Sequence, residues 1–362
     1  MRIEELQTPC LVLDLGVLRR NLTRMQAALA RHPGLRFRPH LKTAKCLEVA
    51  ALAAPHSGPI TVSTLAEAEF FAAGGWRDQI YAVGITPQKL DRVAALNAAG
   101  ADVKVITDDA DAARAIAAHP GPLRALIEID VGEHRGGVAP EEAPALARLL
   151  GPRLAGVIAH AGHSYAGRSV EEMRRIAEEE RRGICRAAEA VRQSGLAVEI
   201  VSVGSSPTAL HADQLAGVTE LRAGVYMFGD LFQAQIGTHG FADIAVTVLA
   251  SVIGRRPDRG TLLVDAGAIA LSKDRSTEAT PRDFGFGEVR DLDGRPYPDQ
   301  PVIRRVYQEH GEVWPAPAGL RVGDRVRIAP NHSCLTVAQH DRYHVVDGSR
   351  AVIAIWRRIG GW

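Results

Sequence analysis

The apolar residues fall into two textures along the chain. Over the first two-thirds, short β-rich runs at residues 35–38, 60–63, 80–83, 103–106, 125–130, 155–160 and 198–203 alternate with Ala-, Arg- and Glu-rich stretches of helical period, and an eighth run falls within 218–228. The first helical stretch sets Leu18, Leu22, Met25 and Leu29 at 4-3-4 spacing, which makes one apolar stripe. Another opens at Ser169 with Glu172 three residues on, the pattern of a capping box. Eight β/α repeats in roughly 230 residues predict a closed (β/α)8 TIM barrel rather than an open doubly wound sheet.

After about Gly240 the helical period stops. Residues 244–253, 261–264, 302–307, 325–329, 343–346 and 351–356 are strand-like and are joined by Pro-, Gly- and Asp-rich turns, with no helical pattern between them. The opening run 8–13 is strand-like as well. The chain therefore divides into an α/β barrel over 12–238 and a smaller, mainly β domain made of 239–362 together with 1–11.

Composition removes several classes of function. With 362 residues there is ample surface to bury, and a formal net charge of +1 leaves no electrostatic footprint for nucleic acid or an anionic membrane. No apolar run reaches the ~18 residues a bilayer requires. Residues 1–6 lack the basic-then-apolar pattern of a signal peptide. The four cysteines, at 10, 46, 185 and 334, form no CxxC pair, usage that fits a reducing cytoplasm.

The candidate chemistry sits at predicted strand ends, where a TIM barrel carries its active site. Pro39-His40-Leu41-Lys42-Thr43-Ala44-Lys45 follows the first barrel strand. A lysine there forms an imine with an aldehyde cofactor if burial or neighbouring cations lower its pKa, while on composition alone the run also reads as a solvated basic loop. Gly204-Ser205-Ser206 follows the seventh strand, where small residues let backbone N–H groups and hydroxyls approach a phosphate, or merely cap a helix. Arg222-Ala223-Gly224-Val225 ends the last strand, Arg135 follows the fifth, and His160, His163 and Tyr165 follow the sixth. In the β-domain, His332 and Cys334 stand two residues apart. On extended backbone they would share a face and suit Zn2+, although a buried cysteine near a histidine is commonly inert.

These motifs, in this order and over nearly the whole chain, resemble the D-serine dehydratase and D-threonine aldolase family, whose fold is that of alanine racemase. The resemblance implies pyridoxal 5'-phosphate (PLP) as cofactor, with Lys42, and not Lys45, as its Schiff-base lysine. It further implies Gly204, Ser205, Ser206, Gly224 and Val225 around the phosphate, and Arg222 at the pyridine nitrogen, where a permanent cation makes the ring a weaker electron sink. Arg135 is expected beside the phenolic oxygen and His160 against the ring face. His40 is a neighbour of the lysine, and Tyr165 lies on the imine or substrate side. His332 and Cys334 become the metal pair, for Zn2+ or else Mn2+ or another divalent cation, and Asp265 and His310 are secondary candidates. The implied activity is a lyase acting on β-hydroxy D-amino acids. Cys334 favours dehydration of D-serine or D-threo-3-hydroxyaspartate to keto acid and ammonia. Retro-aldol cleavage to glycine and an aldehyde is the first alternative and amino-acid racemisation the second. A homodimer is expected by analogy of fold.

Overall fold

The computed structural model describes residues 1–55 and 58–362, and the chain separates into two compact units. One comprises 24–224 with 361–362, and the other 1–23 with 225–360.

The first unit is the barrel. Its strands are Arg36–Pro39, Ile60–Val62, Asp78–Gly84, Asp102–Thr107, Arg124–Ile129, Leu154–Ala159, Ile200–Val203 and Glu220–Ala223, and neighbouring strands pair in parallel. The first strand pairs with the eighth, and a backbone bridge between His40 and Thr61 joins the first to the second, closing the ring. The predicted runs therefore lie on real strands, offset by a residue or two at their ends. All but the first carry buried Val, Ile, Leu or Ala side chains between turn-forming residues, while Arg36–Pro39 buries Arg38 and Pro39. Ile80, Ile106, Leu126, Ala155, Ile158 and Ile200 make one continuous buried cluster. Ser169 caps the long helix Val170–Gln193 by accepting from the Glu172 N–H, but the Glu172 carboxylate reaches back to the N–H of Arg168 at 2.6 Å.

A charged layer crosses the barrel where hydrophobic periodicity alone gives no hint of it. Arg38 is fully buried and donates to both Glu220 oxygens, at 2.9 and 3.0 Å, and to Asp78 at 2.9 Å, while Lys104 reaches Asp78 at 3.0 Å. Burial raises the Asp78 pKa, but Arg38 and Lys104 outweigh it and hold the carboxyl well below the usual range. Buried charges survive only when paired in this way.

The second unit is built on a nine-stranded sheet. Six of its strands, Val246–Arg256, Thr261–Val264, Gly311–Trp314, Val302–Val306, Glu288–Arg290 and Arg325–Ala329, close on themselves through antiparallel pairings. Cys10–Asp14, Arg342–Val346 and Ala354–Arg357 extend the sheet, and Cys10–Asp14 runs parallel to Arg342–Val346. The boundary between units differs from the one read at 12 and 238. Residues up to 23 and from 225 belong to the β unit because Asn21 donates to the carbonyls of Met227 and Asp243, at 2.9 and 2.8 Å. The Leu231 N–H likewise donates to Pro330 at 3.0 Å. The unit also contains short helices, Leu231–Gln235, Ala268–Leu271 and Ser333–Val337, where the sequence pattern showed none. Among the described residues, no helix is long and apolar enough to cross a membrane.

Candidate active site

Two neighbouring lysines meet different fates at the end of the first barrel strand. The backbone there is pinned from both sides, the His40 N–H donating to Ala223 at 2.8 Å and the Leu41 N–H to Thr61 at 2.9 Å. Lys42 follows directly. Its side chain is exposed and makes no ion pair or hydrogen bond among the described residues, while its charge bears on the imidazoles of both His40 and His160. Lys45, at φ +48°, pairs with the Glu67 carboxylate at 3.0 Å, and Glu67 is only 1% exposed. An ammonium so neutralised is a poor candidate nucleophile, and Lys42 is a good one.

His40 and His160 are both neutral. Burial lowers the His40 pKa well below the ordinary value, and the charges of Lys42 and Arg222 reinforce that. Its Nε2 stands 3.4 Å from the Ser63 hydroxyl. For His160, burial leads and the Lys42, Arg222 and Arg135 charges add to it, taking the pKa down to about 3 against the opposing bond to Gly204. That bond runs from Nδ1 to the Gly204 carbonyl at 2.8 Å. A carbonyl only accepts, so Nδ1 carries the proton and Nε2 is left as an acceptor. Tyr165 stands over this corner, its ring 6.5 Å from that of His160 and inclined at 51°.

Arg222 is buried, which excludes a surface arginine. It donates to the Ser202 hydroxyl at 2.6 Å and to the Ala159 carbonyl at 2.5 Å, so the guanidinium is fixed across the barrel between the sixth and seventh strands. Burial brings its pKa down to about 10, with the carboxylates of Glu220 and Glu180 supporting the charged form, so it is cationic at neutral pH.

The small-residue turn is more occupied than its composition suggests. The Gly204 N–H donates to Glu180 at 2.8 Å, and the Ser205 N–H to the Thr208 hydroxyl at 3.0 Å. The Ser205 hydroxyl stands 2.8 Å from that of Ser164 and caps the helix Ser206–His211. The Ser206 N–H stands 3.5 Å from the Tyr165 hydroxyl. Gly204 is required for its backbone. It has φ +135°, and a Cβ there would overlap the Arg222 carbonyl. Gly224 packs as closely: a Cβ would lie 2.9 Å from the His40 carbonyl oxygen and 3.3 Å from the Thr43 hydroxyl. The neighbouring Val225 is buried and opens a short 3-10 turn.

Arg135 lies on the loop after the fifth strand. It is exposed and loosely paired with Glu128 and Glu133, at 3.6 and 3.4 Å. His163 is half-buried and stacks over Gly132, with burial lowering its pKa.

In the β unit, His332 and Cys334 are together but not on a strand. His332 is the extended N-cap residue of the helix Ser333–Val337, and Cys334 lies in its first turn. The expectation of a shared face on extended backbone is thus replaced by a cap and first-turn arrangement, favoured because Asp230 accepts from the Ser333 N–H at 3.0 Å and fixes that turn. Burial would lower the His332 pKa, but its hydrogen bond to Cys334 and the nearby Asp230 and Asp274 carboxylates outweigh this and raise it to about 9. Among the described residues no group of three or more His, Cys, Asp and Glu side chains is arranged as a metal site. The secondary candidates fare less well. Asp265 is spent on the Ser251 N–H and the Thr8 hydroxyl, at 2.7 and 2.5 Å, and His310 is exposed. His340 and His344 donate to the carbonyls of Ala270 and Leu11.

Sequence reasoning missed Glu180, Glu67 and Asp230. Glu180 had a signal: it is a lone carboxylate in the buried stripe Met173, Ile176, Ala177, Ile184, Ala187, Val191.

Comparison with known proteins agrees with this layout. Residues 13–231 match the alanine racemase N-terminal domain, and 245–346 match a putative serine dehydratase domain. The D-threo-3-hydroxyaspartate dehydratase of Delftia sp. (strain HT23) is 45% identical over 379 residues, covering 99% of this chain and 98% of that protein. The D-serine dehydratase of Dictyostelium discoideum is 30% identical, covering 99% and 98%. A solved D-threo-3-hydroxyaspartate dehydratase with a cysteine changed to alanine, in its metal-free form, superposes with a TM-score of 0.94 at 42% identity over 100% of both chains. The chain belongs to the D-serine dehydratase and D-threonine aldolase family of lyases, which joins an alanine racemase-type barrel to a serine dehydratase domain.

Proposed function

We propose that this chain is a PLP- and divalent-metal-dependent lyase that dehydrates a β-hydroxy D-amino acid of the D-threo-3-hydroxyaspartate type to a keto acid and ammonia. The observation that carries the reading is the full-length match to the Delftia dehydratase in a chain that also has an exposed lysine, Lys42, after the first barrel strand and a His–Cys pair in the β unit.

The residues at the barrel mouth fit PLP. Lys42 is an exposed amine with no side-chain partner among the described residues, the neutral His160 would offer a ring face, and Arg222 would be a fixed cation for the pyridine nitrogen. Ser206, Gly224 and Val225 would supply phosphate donors, with Gly204 and Ser205 shaping the turn, and Arg135 would swing to the phenolic oxygen from its loose pairs. When bound, PLP supplies the electron sink for breaking bonds at the substrate α-carbon. Lys42 would remove the α-proton as general base from its place just past the end of the first barrel strand. Tyr165 would orient the substrate carboxylate side from its place next to His160. His332 and Cys334 would hold the divalent cation, Zn2+ by their donor chemistry, whose role is to polarise the β-hydroxyl. Two protein ligands leave positions open for substrate.

The working form under this reading is a cytoplasmic homodimer, in keeping with four cysteines that form no disulfide among the described residues. Product analysis tests the activity. The zinc-supplemented enzyme is given D-threo-3-hydroxyaspartate, D-serine and D-threonine. Keto acid and ammonia are expected, whereas glycine with an aldehyde would assign retro-aldol cleavage instead, and the L-enantiomer would assign racemisation.

A further inference from the structure

One buried carboxylate ties together the two loops that govern His160. Glu180 is 1% exposed and points inward from the helix Val170–Gln193. Its Oε1 accepts from the Ala161 N–H at 3.1 Å and from the Gly204 N–H at 2.8 Å. Ala161 is the residue directly after His160, and the Gly204 carbonyl is the acceptor of the His160 ring proton at 2.8 Å. The backbone bearing the ring and the acceptor that orients the ring are therefore fastened to the same oxygen atom. Gly204 reaches this position only because it lacks a Cβ.

Plain packing does not call for a charge here. The neighbouring inward positions Met173, Ile176, Ala177 and Ile184 are all apolar, and burying a carboxylate is costly unless its hydrogen bonds are complete. Burial holds the Glu180 carboxyl up at about 7, against the Gly204 and Ala161 N–H groups, Arg222 and the Thr208 hydroxyl, which favour its charged form. What the carboxylate adds is a fixed geometry at two strand ends where backbone pairing has stopped.

We propose that Glu180 is a positioning residue: it locks His160, through Gly204 and Ala161, in the Nδ1–H tautomer and the ring orientation from which its face meets the cofactor. This rests on the assignment of His160 to the cofactor face made above. The tautomer itself is a property of this chain and is read without substrate.

The test is 15N spectroscopy of histidine-labelled protein, with and without PLP, the His160 signal being assigned by its loss in His160→Gln. The parent should show the Nδ1–H tautomer at neutral pH. Glu180→Ala should give a mixed tautomer, and kcat should fall roughly 10- to 100-fold, the penalty for a small misplacement, with KM changed much less. Glu180→Gln can accept both N–H groups with its amide oxygen and present its NH2 to Thr208, so it should restore the tautomer and return kcat to within a few-fold of the parent. If Glu180→Ala does not fold, Glu180→Asp decides, because it keeps the charge but withdraws it by one methylene and should show the same changes in weaker form. A folded Ala or Asp variant with an unchanged His160 signal or an unchanged kcat would overturn the proposal. Failure of the wider functional reading appears separately, as PLP binding that survives loss of Lys42.

Discussion

The Lys45 ammonium lies 3.0 Å from the Glu67 carboxylate, and Glu67 in turn accepts from the Ser63 N–H at 2.9 Å. Lys42→Ala should therefore abolish both the visible absorbance of bound cofactor and activity. Lys45→Ala should keep that absorbance while lowering stability by about 1–3 kcal/mol, because a buried carboxylate loses its counter-charge. Absorption spectra and denaturation curves of the two variants check this, and cofactor lost with Lys45 but kept without Lys42 would reverse the assignment.

Cys334→Ala should remove bound metal and activity together while leaving PLP in place, because the thiol lies in the β unit and Lys42 in the barrel unit. Metal analysis alongside the cofactor spectrum separates the two losses. In the parent, chelation should abolish turnover and zinc restore it. Full activity in a metal-free variant is the result that would remove the metal from the mechanism.

Acid should destabilise the protein partly through His160. Its folded pKa of about 3 lies below the ordinary value of about 6.5, so between those limits the unfolded chain binds a proton that the folded chain does not. Stability from this group is complete above pH ~6.5 and is lost as the pH falls toward 3. His160→Gln should show a shallower decline in unfolding free energy over that window than the parent. Equal slopes would mean that the imidazole is not held neutral.

Gly204→Ala should be severely destabilising, by more than about 3 kcal/mol, because it combines a left-handed backbone with a clash against the Arg222 main chain. Gly84→Ala is the control: its Cβ would meet nothing within 4 Å, and the change should stay within roughly 0.5 kcal/mol. Urea titration of both variants measures the difference, and a stable Gly204→Ala would show that the turn can relax.

Much of the barrel was legible because most of its strands are apolar runs between turns, and the physics of a fully covered parallel strand writes such runs into the sequence. Glu288–Arg290 and Gly311–Trp314 escaped notice because they are short and each carries charged or small residues through a closed ring of partners. The His332–Cys334 spacing identified the pair but not its setting, since extended backbone and a helix cap both bring such residues together. The buried ions Arg38 and Glu220 were unreadable as site elements for a different reason, and Glu180, though visible as a lone carboxylate in an apolar stripe, could be given no partner. Their partners are distant in sequence, and only folding reveals that Arg38 meets Glu220 or that Glu180 meets Gly204.

The bridge that shuts the barrel stands two residues ahead of Lys42, and the peptides of His40 and Leu41 are each clasped by a different neighbouring stave. The main chain at this point has no slack. Any excursion of the Lys42 amine must come from rotations along its own aliphatic stem, so its reach is set by the length of a lysine side chain swinging from a fixed post.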